Sequence, residues 1–164
     1  MVWKYSGYLG VTVRPDLRET EIRAYDDAVH LIRQGQRREG AHALVTLSRR
    51  ALRSQKSWLL KEAAVAYATA NAVVEAEVTF AESLAAAVSE HEKWQIEYAR
   101  GESLLEQSQW DRAIVHYSNA LDGAIRADPT GLGVLTSLNA LGTAHLRKGD
   151  LAEAEQVFNR ELAI

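Results

Sequence analysis

The sequence predicts an all-α protein: a stack of about four helical hairpins, eight helices in all, preceded by an extended N-terminal arm. Three observations predict it. One pattern of small, turn and large residues recurs four times, only 2 prolines interrupt 164 residues, and apolar side chains fall at helical spacing after Pro15. The recurring pattern starts at Ala28, Ala64, Gly101 and Gly142, and 12 positions after each stands a second small residue, Gly40, Ala76, Ala113 or Ala154. Four positions further on comes a large one: Leu44, Phe80, Tyr117 or Phe158. Between the two small residues lies a turn residue: Gly35, Asn71, Ser108 or Gly149. Two antiparallel helices need such an arrangement, with one small residue from each where their axes pass closest. Glycine and asparagine tolerate the left-handed conformation that ends a helix; serine does so less readily.

Residues 1–16 read differently. Trp3, Tyr5, Tyr8, Val11 and Val13 alternate with small or polar residues, broken by Gly7 and Gly10 and closed by Arg14-Pro15-Asp16, as an extended segment would. Residues 17–164 form the helical domain, with hairpins at about 19–54, 57–89, 92–127 and 131–164. In the first, Ile22, Tyr25, Val29 and Ile32 make a helical stripe ending at Gly35, and a second helix puts Leu44, Leu47 and Ala51 on one face. Ser57 reads as the N-cap of a third helix running through Leu60 and Tyr67 to Asn71. Phe80, Leu84 and Val88 mark the fourth. The fifth runs from about Glu92 to Gln107 and the sixth from Trp110 to about Arg126. Asp128-Pro129 breaks the chain before the seventh and eighth.

Composition narrows the role. With 47% hydrophobic and 25% charged residues the chain reads as an ordinary soluble globular protein. Cysteine is absent, which excludes disulfides and thiolate chemistry and fits a cytoplasmic location. No apolar run approaches the length of a membrane span, and residues 1–8 do not resemble a signal peptide. Eight basic residues between Arg33 and Lys61 face the single acid Glu39, against a net charge of -3 for the whole. Arg49, Arg50 and Arg53 lack the interleaved aromatic platform of a nucleic-acid surface, so nucleic acid is not the expected partner.

The repeat resembles the tetratricopeptide repeat. Leu138-Asn139-Ala140-Leu141-Gly142, followed by Lys148-Gly149-Asp150-Leu151-Ala152-Glu153-Ala154-Glu155, is the most specific match. Gly101 and Gly142 stand 41 positions apart, so the unit resembles the longer repeats of kinesin light chains and of bacterial signalling proteins. The resemblance implies a right-handed superhelical stack whose concave groove, lined mainly by first helices, binds a protein or peptide. The carboxylate clamp known in some members is not implied, because of the inner positions Tyr25/Val29, Lys61/Val65, Tyr98/Glu102 and Asn139/Thr143 only Lys61 suits it.

Enzyme signatures are missing: there is no phosphate-binding glycine loop, no HExxH and no nucleophile elbow. Neither cofactor nor metal is expected. His30, His42, His91, His116 and His145 are far apart in sequence; His145 reads as a core residue and His116 as half exposed. The expected function is therefore a non-enzymatic protein-interaction module. Its candidate groove residues are Tyr25, Trp58, Lys61, Tyr98, Glu102, Asn139, Thr143 and Arg147, apolar and aromatic at one end and polar at the other. The alternatives are a self-associating scaffold, a sensor domain of a bacterial signalling or transcription regulator, or a repeat-type chaperone. The arm, or a last helix ending in Leu-Ala-Ile, is where the chain is expected to self-associate or to cover its own apolar surface.

Overall fold

A computed structural model describes residues 17–162. Among them lie eight helices and no strand: α1 Glu19–Arg33, α2 Arg37–Ser48, α3 Arg53–Thr69, α4 Val73–Ala86, α5 Glu90–Glu106, α6 Trp110–Ala127, α7 Leu132–Lys148 and α8 Leu151–Leu162. The arm expected at 1–16, with Trp3, Tyr5 and Tyr8, falls outside the described residues, as do the last two residues of the chain.

Every hairpin turns where the repeated pattern places its turn residue. Gly35 and Gly149 adopt φ of 89° and 96°, and Asn71 and Ser108 adopt 57° and 58°. A left-handed residue reverses the chain within a few positions and lets a following N–H return to a carbonyl of the last turn. Thus the Gln36, Ala72, Gln109 and Asp150 amides bond back to the Leu31, Tyr67, Leu104 and His145 carbonyls. Ser108 takes up this conformation without the relief glycine has, so its turn is held by the packing of the helices it joins.

Helix starts differ in part from expectation. Ser89 caps α5, its hydroxyl accepting from the Glu92 amide at 3.1 Å. Ser57 does not cap α3. The helix begins a turn earlier, where the Leu52 amide donates to the Gln55 side chain at 3.1 Å. Ser57 lies buried inside α3, and its carbonyl accepts from the Ser83 hydroxyl of α4 at 2.7 Å. The side chain that reads locally as a cap is there because it is small enough for α4 to pack against. Ala51 and Val88, expected on helix faces, fall just beyond the ends of α2 and α4.

The chain divides into two compact units, Met1–Val88 and Ser89–Ile164. In the first, Ala28, Leu44, Leu47, Leu59 and Ala63 form one buried cluster, and Ala41, Ala66, Tyr67, Ala68 and Ala76 another. Asp27, at a position usually apolar in such repeats, faces solvent.

The second unit is built on aromatic rings seated over small residues. Tyr117 of α6 is fully enclosed, and a Cβ added at Gly101 of α5 would lie 2.7 Å from its ring. In the last hairpin a Cβ at Gly142 of α7 would lie 2.6 Å from the Phe158 ring of α8. Trp94 of α5, 5% exposed, lies over Gly123 of α6 and Gly133 of α7. Lys148 bridges Asp150 at 2.8 Å and Asp111 at 3.0 Å, joining the end of α7 to the start of α6. Hydrogen bonds to those two carboxylates hold the Lys148 ammonium above the ordinary lysine range.

Gly101→Ala should lower stability by about 1–3 kcal/mol, the usual cost of overpacking, because the enclosed Tyr117 ring has nowhere to retreat. Chemical denaturation followed by circular dichroism checks this; an unchanged midpoint would show that the ring can yield.

Candidate functional site

In the first unit the expected aromatic residues meet. Tyr25 of α1 and Trp58 of α3 have ring centroids 5.1 Å apart, tilted by 37°. Both are partly buried and pack on the cluster of Ala28, Leu44, Leu47, Leu59 and Ala63. The Trp58 indole N–H is enclosed, with no hydrogen-bond acceptor among the described residues. An enclosed donor left unpaired forgoes roughly 1–3 kcal/mol. Lys61, expected to present its charge in the groove, is only 7% exposed, with its ammonium 3.3 Å from Glu62 Oε1.

In the second unit Tyr98 and Glu102 share one face of α5 and meet Tyr117 of α6. The Tyr98 and Tyr117 centroids lie 5.6 Å apart, tilted by 57°. Tyr117 donates its hydroxyl hydrogen to Glu102 Oε1, and the Tyr98 hydroxyl bonds the same carboxylate. Burial pushes the Glu102 carboxyl above the usual range and the Glu106 charge one turn away adds to this, while the Tyr117 and Tyr98 hydrogen bonds oppose it. Asn139 and Arg147 are exposed and Thr143 half-buried, forming a polar row along one face of α7.

The structure therefore unites Tyr25 with Trp58 and Tyr98 with Glu102, sets Asn139, Thr143 and Arg147 in a row, and withdraws Lys61 from solvent. The sequence does not pair Tyr117 with Glu102, because Tyr117 reads as a core residue alone. The signal was present: Glu102 directly follows the small residue over which the Tyr117 ring sits.

His116, expected to be half exposed, is nearly enclosed. Its Nδ1 lies 2.6 Å from Glu97 Oε2, each side chain being 13% exposed. The α5 carboxylate satisfies a ring that its neighbours in sequence could not. His145 is largely buried, as expected of a core position, with Nδ1 3.4 Å from Asp150 Oδ2. Among the described residues no three acidic or histidine side chains converge as metal ligands, and no helix is long and apolar enough to cross a membrane.

Residues 95–164 match the family model of the tetratricopeptide repeat. Among solved structures, the chain is similar to one described as kinesin light chain nearly identical TPR-like repeats from Podosopora anserina. The TM-score is 0.65 and the identity 19%, over 90% of this chain and 76% of that one. No curated protein matches the chain. Sequence thus marks the repeat in the last two hairpins, and the fold extends the likeness across most of the chain.

The Glu102 carboxyl binds its proton more tightly folded than unfolded, so its contribution to stability is fully present below the unfolded pKa and is lost as pH rises through the folded one. Glu102→Gln removes that loss. The variant should unfold at an equal or higher temperature than the unaltered chain at pH 7, with the difference closing below pH about 4, near the ordinary glutamate value. Melting curves at both pH values check this; a variant less stable at pH 7 would show that the ionised carboxylate is held by favourable contacts.

Proposed function

We propose that this chain, a tetratricopeptide-repeat protein, binds a segment of another protein on the faces that its first helices present. Tetratricopeptide repeats are generally protein-interaction modules and typically non-enzymatic scaffolds, which gives the class of function. The observation that carries the finer reading is the Trp58 indole: an enclosed N–H with no acceptor among the described residues, beside the Tyr25 ring. An apolar side chain of the ligand packs on these two rings, and a turn of the Trp58 ring brings its enclosed N–H out to a ligand carbonyl. Aromatic residues with a polar tip dominate binding energy for this reason, since they bury large area and still complete a hydrogen bond.

Tyr98 supplies an anchor of the same kind in the second unit, with Glu102, Asn139, Thr143 and Arg147 fixing the direction of a ligand bound there. Such a ligand is a peptide or helix with apolar anchors and polar flanks. The absence of cysteine fits action in a reducing cytoplasm.

Partners captured from a lysate of the source cells should bind Tyr98→Ala more weakly by about 2 kcal/mol, roughly thirtyfold, as for truncation of an aromatic anchor. Trp58→Phe keeps an aromatic face but loses the N–H together with part of the indole's area, and should cost about tenfold. If calorimetry gave unaltered affinity for both variants, these faces would not be the binding surface.

A further inference from the structure

Glu102 is a charged group whose surroundings do not balance its charge. The groups that bond it, the Tyr117 and Tyr98 hydroxyls, are neutral, and the Glu106 carboxylate beside it carries the same charge. Among the described residues no lysine or arginine pairs with it. Tyr117 is fully enclosed and fixes one carboxylate oxygen from behind. Tyr98 is only half-buried and stands at the rim with its ring 5.6 Å from that of Tyr117.

As an acceptor for two hydroxyls a neutral amide would serve. A carboxylate in this position differs in what it offers a third group. A partly dehydrated negative charge beside an aromatic face attracts a cation twice, through the charge-assisted hydrogen bond and through the ring quadrupole. A metal ion is a poor match, since no third carboxylate or histidine joins Glu102 and Glu106.

We propose that Glu102, oriented by Tyr117 and flanked by the Tyr98 ring, receives a basic side chain, lysine or arginine, of the bound protein segment. This rests on the reading that the first-helix faces bind protein, and it adds the charge of the residue recognised in the second unit. An arriving cation offsets the dehydration of Glu102 and is drawn by the Glu106 charge as well. Arginine fits best, because its planar fork can meet one carboxylate oxygen while its face lies on the Tyr98 ring.

The test is an NMR titration of the full chain with acetyl-Ala-Arg-Ala-amide, its lysine counterpart and its norleucine counterpart. The two basic peptides should shift the Tyr98 and Glu102 resonances saturably and the norleucine peptide should not. Glu102→Gln should weaken the arginine peptide by roughly tenfold, the scale of one charge-assisted contact. Equal binding of norleucine, or a Glu102→Gln affinity within about twofold of the unaltered chain, would overturn the proposal. The norleucine comparison uses the unaltered chain, so it decides the matter even if the variant does not fold. Saturable, arginine-selective binding with partner affinity unchanged in Trp58→Phe and Tyr98→Ala would retain this pocket and remove the broader reading. Partner affinity lost in Trp58→Phe without arginine selectivity would do the reverse.

Discussion

Close approach of paired helices over small residues is the constraint on which the rest of this structure depends. A helix backbone with a side-chain layer is about 10 Å across, and two can draw nearer only where that layer is thin. Glycine or alanine in both helices thins it, and a ring or branched side chain one turn further along fills the space beside the crossing. Gly101 with Tyr117, and Gly142 with Phe158, show this directly, since even one added carbon meets the ring. The left-handed residue between the helices sets how soon the second can return, and in all four hairpins it stands at the same place.

That constraint also builds the candidate site. A ring held over the small residue of a first helix reaches the residue next to it. Where the ring is tyrosine, as at position 117, its hydroxyl meets Glu102 and fixes it on the face that α5 presents. One side chain does both, its ring filling the core and its oxygen holding Glu102. The cost is visible in Glu102, a carboxylate that burial and Glu106 both disfavour. The proposed basic side chain of a ligand would relieve both. Trp58 poses the same question in the first unit, where an enclosed donor lacks an acceptor among the described residues.

Architecture was legible in the sequence because it depends on volume and periodicity, which single residues carry. The four turn positions, the small pairs and the break at Asp128-Pro129 are each stated by residue type. Less legible were features set by what comes from another helix. Ser57 has the chemistry of a cap, yet it lies buried within α3, where its carbonyl accepts from Ser83 of α4. His116 looks half exposed from its own helix, yet Glu97 of α5 encloses it. Lys61 falls on the inner stripe by spacing, but spacing cannot say how far neighbouring side chains cover it. Of the candidate site, the aromatic residues were the readable part, and the pairing of Tyr117 with Glu102 was the part that needed two helices at once.

The most direct test of the central claim is a double-mutant cycle on the last hairpin, with Gly142→Ala, Phe158→Leu and the two combined, each measured by chemical denaturation. If the glycine is there to admit the ring, the smaller leucine relieves the added methyl, and the double variant should be more stable than the summed losses by about 1 kcal/mol or more. Losses that add to within about 0.5 kcal/mol would mean that the two residues do not constrain each other, and the account of how these helices are held together would be wrong.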